Sequence, residues 1–334
     1  MSPQDPPNPN SSPPRTVAIV LGSGGVLGAS FHAGVLLALQ QTWGIDGRRV
    51  DELLGTSAGA VASSLLAAGM SPADLLRREQ GLPLSEEGQR IMARRGDRSN
   101  QPRQAPVAAL GPPPAPGLLW AALRSPGTVM PGSVMAGLLP RGHNSTDPIA
   151  NTVGAVLDGQ WPTSPCLRIA TVKLASGRRH IFTGEDHISP GPVVAAACAV
   201  PAIHRPVTIG SDEYIDGATH SANNVDAVGP HDLVIVSSPM TSAIGFGRIG
   251  WWTPTRQAAR LQLDQELTTL AETTRVVVLE PDREVIEAMG PDLMRTSHRA
   301  AVALSAHRTA TAQLNAIPAP DLHHPPAAPN GPTS

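Results

Sequence analysis

The sequence predicts an α/β fold in which a mainly parallel central sheet carries helices on both faces. The strand signals are continuous aliphatic runs, as strands covered on both sides require, and they return after each helical stretch. A chain of 334 residues with 41% hydrophobic content also has enough apolar material for one large core.

Thr16 to Leu21 (TVAIVL), ending at Gly22, reads as the first buried parallel strand. A helix is expected from about Gly28, because Phe31, Val35, Leu36 and Leu39 repeat at helical spacing. Leu53 and Leu54 mark a short second strand, and Ala58 to Ala68 a small-residue helix with Val61, Leu65 and Leu66 on one face. From about Met70 to Leu139 short helical pieces are broken by Pro and Gly, including Gly111 to Gly117 (GPPPAPG), which is too proline-rich for a sheet. This region, about 71–140, is expected as an inserted helical cap.

Strand signals return at Leu167 to Leu174 and His180 to Thr183, followed by a helix over Val193 to Ala199 that stops before Pro201. They resume at Tyr214 to Asp216, Leu233 to Ser237 and Arg275 to Glu280, with helices over about Thr255 to Glu272 and Met294 to Leu314. The stretches 1–14 and 316–334 are dominated by Pro, Ala, Asn and Ser and are expected as disordered tails around a domain at 15–315.

The formal charge of -2 mixes both signs along the chain, which argues against a nucleic-acid partner and leaves peripheral membrane contact open. Two cysteines, Cys166 and Cys198, lack C-x-x-C spacing and are read as small buried hydrophobes. With neither a signal-peptide pattern nor an apolar run long enough to span a bilayer, the expected location is cytoplasmic.

Three blocks carry chemistry. Gly55-Thr56-Ser57-Ala58-Gly59 fits G-x-S-x-G at a strand-to-helix junction, where a sharp turn projects a serine nucleophile. Gly22-Ser23-Gly24-Gly25-Val26-Leu27-Gly28 joins the first strand to the first helix and exposes backbone N-H groups at a helix N-terminus. Such a loop can hold an oxyanion or a phosphate; its spacing misses G-x-G-x-x-G and favours the oxyanion. Asp216-Gly217-Ala218 ends a short strand and precedes the polar turn Ser221 to Asn224, so Asp216 can face a cleft, although Asp-Gly alone is more often a turn.

The three blocks in this order resemble the patatin-like phospholipase family, as does Ala195 to Pro206 (AAACAVPAIHRP), over about Val17 to Asp226. The resemblance implies a patatin-like three-layer sandwich. It implies Ser57 as nucleophile, Asp216 as its partner in a Ser-Asp dyad, and the amides of Gly24, Gly25 and Val26 as oxyanion hole, with Ala58 N-H adding to it. Gly22, Gly28, Gly55, Gly59, Gly217 and Ala218 complete the motifs. The implied activity is an esterase or phospholipase A reaction on fatty acyl esters of lipids through an acyl-enzyme, without metal or cofactor. A non-catalytic lipid-binding member and an acyltransferase are the alternatives.

One departure stands out. The family loop usually carries Lys or Arg before its last glycine, where this chain has Leu27, and Ser23 replaces the first of the loop glycines, so either a preference for less anionic esters or slow turnover is expected. A His triad would need His220, His231, His298 or His307, none in a clear strand-end loop. Phe246, Trp251 and Trp252 form a Gly-rich aromatic stretch that packs or enters a lipid interface. Leu118, Leu119, Trp120, Val134, Met135 and Leu138 in the cap form an acyl-chain pocket or a core of short helices.

Overall fold

The computed structural model describes residues 15–94, 114–115, 130–242 and 253–320. The predicted tails at 1–14 and most of 316–334, the aromatic stretch with Phe246, Trp251 and Trp252, and the cap residues Leu118, Leu119 and Trp120 lie outside the described residues.

The strands are β1 (Val17–Leu21), β2 (Glu52–Thr56), β3 (Cys166–Lys173), β4 (Arg178–Phe182), β5 (Val207–Ile209), β6 (Asp212–Asp216), β7 (Leu233–Ser237) and β8 (Arg275–Leu279). They form one eight-stranded sheet in the order β5-β6-β3-β2-β1-β7-β8, with β4 paired to β3. The run from β3 through β2, β1 and β7 to β8 is parallel, and β4, β5 and β6 enter antiparallel at one end.

Side chains of β1 alternate between two apolar layers, as the pleat demands. Ile19 and Leu21 pack with Leu53, Ile235 and the helices on one face, while Ala18 and Val20 pack with Leu54, Val234 and Val236 on the other. The first face is covered by α1 (Gly25–Trp43), α2 (Ala58–Ala67) and a C-terminal helix at Arg299–Asn315; the second receives Leu263 from the helix at Thr253–Leu267. Burial on both sides is why these strands read as unbroken aliphatic runs.

Helix α3 (Pro72–Gln80) is capped by Ser71, whose hydroxyl accepts from Asp74 N, and α4 (Glu86–Ala93) by Ser85 in the same way. Within the stretch expected as a cap, α3 packs directly on α1 and on the C-terminal helix. The remaining described helices are α5 (Pro131–Leu138), α6 (Asp147–Val156), α7 (Pro190–Ala197), α8 (Thr253–Leu267), α9 (Arg283–Met289) and α10 (Arg299–Asn315). Helix α6, helix α9 and strand β5 were not anticipated; each is short and takes its apolar face from tertiary packing.

Cys198 is buried as expected, but Cys166 is exposed, which corrects its reading as a core residue. It opens β3 at the end of the sheet, where its side chain escapes the core.

Candidate active site

Ser57 follows the last residue of β2 and is the N-cap of α2, with φ 54 and ψ -115, a left-handed conformation costly for a side-chain-bearing residue. The turn closes because Gly59 lacks a side chain: a Cβ there would lie 1.9 Å from the carbonyl oxygen of Leu21. Gly55 is equally confined, since its Cβ would stand 2.5 Å from Ala60 Cα. Ser57 does not use its hydroxyl to cap its own helix. Cys198 Sγ donates to the Ser57 carbonyl at 3.3 Å.

The register of β3 brings Asp216 to this turn. Residues 169–170 of β3 pair with β2 and β4, and residues 171–173 pair with β6 and β4. A strand has two edges, so β2 and β6 share the edge opposite β4 and meet end to end. Thr56 stands opposite Ala170 and Asp216 opposite the next residue, Thr171. Because β6 runs antiparallel, its carboxyl end is the one that reaches the carboxyl end of β2. Ser57 and Asp216 accordingly line the same cavity.

Asp216 is buried, and burial pushes its carboxyl up from 3.8 to about 7, against the opposing pull of hydrogen bonds from Ser57 and Ala218 N-H. The Ala218 bond is 2.8 Å long. The following turn is tied to the elbow: Asn224 Nδ2 donates to Thr56 Oγ1 at 3.1 Å and to Ser221 O at 2.8 Å. Ser221 Oγ accepts the amides of Asn223 and Asn224 at 3.1 and 3.0 Å.

The glycine-rich loop forms the opposite wall. Its helix begins at Gly25, three residues before the expected start. Leu27 N-H donates to Leu293 O at 3.0 Å, Gly28 N-H to Gly24 O at 2.8 Å, and Ser23 N-H to Ala222 O at 2.8 Å. The amides of Gly24, Gly25 and Val26 find no acceptor among the described residues. Neither α1 nor α2 has an acidic residue in its first turn, so two helix N-termini at the site keep their partial positive charge. Beneath the loop lies buried His32, which burial holds neutral, its pKa down at about 4. Its Nε2 donates to Gly22 O at 2.7 Å, which leaves Nδ1 to accept from the Ser237 hydroxyl at 2.8 Å.

Two cavities meet at Ser57. One, about 380 Å³, holds Asp216 and is otherwise walled by the glycine loop and apolar groups including Met135, Leu139, Val200, Met240 and Leu293. The other, about 420 Å³, is shared with Gly25, Val26 and Ala58 and contains Arg78, Glu79, His204 and Arg299. Of the expected cap residues, Met135 lines the first cavity. Leu27 is fully buried in the core and lines neither.

None of His220, His231, His298 and His307 lines either of these two cavities. His231 Nδ1 bonds Gly229 O at 3.0 Å, His298 Nδ1 bonds Ala288 O at 2.8 Å, and His307 Nε2 bonds Gln41 Oε1 at 2.8 Å. His204, Arg78 and Arg299 were not singled out from sequence. Their charges and rings converge only through packing, and no local spacing marks them.

A family model described as patatin-like phospholipase matches residues 19–228. The chain belongs to the patatin-like phospholipase family. The matched residues include all three sequence blocks, and the family's chemistry is lipid acyl hydrolysis. Among curated proteins no relative matches. Among solved structures, the crystal structure of VipD from Legionella pneumophila is similar at 14% identity and a TM-score of 0.45, covering 92% of this chain and 68% of that one. Among the described residues no helix is long and apolar enough to cross a membrane.

Proposed function

We propose that this patatin-like protein is an esterase of phospholipase A type, with Ser57 as nucleophile, Asp216 as its base, and the amides of Gly24, Gly25 and Val26 as oxyanion hole. The observation that carries this reading is the meeting of a strained serine and a buried carboxylate in one cavity, faced by unfilled amides.

Ser57 Oγ attacks the ester carbonyl carbon while its proton passes to an Asp216 carboxylate oxygen. An ordinary carboxylate is a poor base for an alcohol, and each unit by which burial raises its pKa recovers about 1.4 kcal/mol of that deficit. The carbonyl oxygen becomes an oxyanion facing the loop amides and the N-terminus of α2; one such preorganised donor is worth about 3 kcal/mol. Collapse expels the alcohol, which takes the proton from Asp216, and leaves an acyl-enzyme. Water then repeats the sequence in reverse, losing its proton to Asp216 and releasing the acid.

The apolar cavity suits a fatty acyl chain. Met135 and Leu139, exposed at its edge on and just after α5, suit approach to a lipid surface.

A fluorophosphonate probe followed by mass mapping tests the reading, together with turnover of p-nitrophenyl esters. An adduct on Ser57 and activity lost in Ser57→Ala are expected. A folded protein that takes no label and turns over no ester would favour a binding role instead.

A further inference from the structure

The loop that follows Asp216 touches every working part of the site. Asn224 Nδ2 ties it to Thr56, the residue before Ser57, at 3.1 Å, and Ala222 O accepts the Ser23 amide of the glycine-rich loop at 2.8 Å. The contact with that loop is close, since a Cβ on Gly22 would lie 2.4 Å from Asn223 Oδ1. A shift of residues 217–226 would therefore move the carboxylate, the elbow and the oxyanion donors relative to one another. Helix α8 (Thr253–Leu267) holds this loop from its far side.

Two side chains of α8, four residues apart and so on one face of the helix, reach the loop. Gln262 Nε2 donates to His220 O at 2.7 Å. Glu266 is buried; its Oε2 accepts the Val225 amide at 2.9 Å, and its carboxylate also receives the Ser221 hydroxyl. Ser221 Oγ already accepts the amides of Asn223 and Asn224, so its one proton is free for Glu266. Leu263, next to Gln262, shares the second apolar layer with Val225. We propose that Glu266, assisted by Gln262, is a positioning residue for Ser57 and Asp216, holding the loop after Asp216 against the elbow and the glycine-rich loop. This role rests on the hydrolase reading above. Helix α8 lies beyond the stretch that matches the family, residues 19–228, so the base inside that stretch is steadied by a helix outside it.

Stability alone does not account for a carboxyl at this place. Among the described residues Glu266 has no ion pair, because the nearby Arg179 of β4 is taken by Asp226 at 2.5 and 2.7 Å. Burial raises the Glu266 pKa from 4.5 to about 7, against the pull of the bonds from Ser221 and Val225. A group with a raised folded pKa costs stability as pH climbs through that interval, and an apolar side chain would avoid the cost. A carboxyl group supplies what an apolar group cannot: two acceptor oxygens at a fixed place, serving an amide and a hydroxyl of the same loop.

Turnover of p-nitrophenyl esters tests the role. Glu266→Leu keeps much of the volume and removes both bonds, whereas Glu266→Gln keeps an acceptor oxygen. If Glu266 positions the pair, Glu266→Leu should lose about tenfold in kcat at unchanged KM, and Glu266→Gln should stay within about twofold of wild type. Wild-type kcat in a folded Glu266→Leu protein, or a loss that falls on KM, would overturn the proposal. An equal loss in Glu266→Gln would assign the effect to the lost charge and would also overturn it. Should Glu266→Leu yield no folded protein, Gln262→Ala decides, because it removes one bond from a half-buried side chain and leaves the core intact. About threefold lower kcat at unchanged KM is then expected, and wild-type kcat would overturn the proposal.

Hydrogen exchange followed by mass spectrometry separates this inference from the hydrolase reading, because it needs no turnover. Peptides covering residues 222–226 and Ser23 should exchange at least about tenfold faster in Glu266→Leu than in wild type, with β1 and β7 unchanged. Wild-type exchange there overturns the proposal even if esters are hydrolysed. A wild-type protein that takes no fluorophosphonate and turns over no ester would sink the hydrolase reading instead, and the exchange alone would then decide whether Glu266 holds the loop.

Discussion

Ser57 is held by its immediate neighbours in sequence, whereas Asp216 is held by the register of a sheet. Around Ser57 the determinants are Gly55, Gly59 and the first turn of α2, all within a few residues, and their side-chain-free contacts leave the turn no alternative path. Around Asp216 they are the pairing of Thr171 with Asp216, the shared edge of β3, and the hydrogen bond from Asn224 to Thr56. The first arrangement survives or fails with one tight bend. The second depends on several long-range contacts, each of modest strength, so it should yield gradually when they are removed.

The largest effects should come from the two side chains themselves. Ser57→Ala and Asp216→Asn are each expected to lower ester turnover by at least about a thousandfold with the fold retained, read by kcat and by circular dichroism. A ten-fold or smaller loss in Asp216→Asn would remove it from the proton path. Gly59→Ala should abolish soluble expression instead of activity alone, because the added methyl collides with backbone at Leu21. A folded Gly59→Ala protein would show that the bend can relax, and would weaken the contrast drawn between the two sides.

The two residues should also differ in how they burden stability. The backbone strain at Ser57 is conformational, so Ser57→Gly should raise Tm at pH 5, and by less at pH 8, where the lost hydroxyl no longer supports the Asp216 carboxylate. The cost at Asp216 is one of charge. Its carboxyl is raised in the folded state to about 7, so the unfolded chain loses the proton first and stability falls as pH rises from about 4 through about 7, then levels off. Asp216→Asn should therefore gain Tm over the wild type at pH 8 and little at pH 4. Activity should rise over the same interval as the base form appears, and a wild-type rate flat between pH 5 and 8 would contradict that role.

How far the site could be read from sequence follows from the same contrast. Gly55 to Gly59 carry their geometry in their own residue types, so the elbow and its helix were legible, as were the loop amides of Gly24 to Val26. Asp216 was legible only as a strand end beside a glycine. Its meeting with Ser57 depends on β6 joining the edge of β3 beyond β2, which no local pattern encodes. Leu27 shows the opposite failure: the missing charge was visible, but the direction of the side chain, into the core, was not. Arg299 lies too far along the chain from the adjacent pair Arg78 and Glu79 for spacing to connect them. Of the fold, the strands buried on both faces were the clearest, while β5, α6 and α9 take their form from packing and left little trace. Exposed Cys166 was misjudged because its place beside an aliphatic run was read as burial, whereas it is the first residue of β3 and stands at the end of the sheet.

The smallest effect tests the long-range side most directly. Asn224 has φ 57, and its side chain joins the turn after Asp216 to the residue before Ser57 without touching either cavity. Asn224→Ala removes the bond to Thr56 and the one to Ser221 O, and also burdens a left-handed position that asparagine tolerates better than alanine. Asn224→Gly removes the same bonds without that backbone cost. If Asn224 sets the distance between the carboxylate and the hydroxyl, both variants should lose about tenfold in kcat with KM little changed, because a small misplacement of a base is felt in the proton-transfer step. If its role is only to stabilise the turn, Asn224→Gly should keep wild-type kcat while Asn224→Ala loses Tm. The register of the sheet would then suffice to place Asp216, and the two sides of the site would be more alike in their rigidity than their hydrogen bonds suggest.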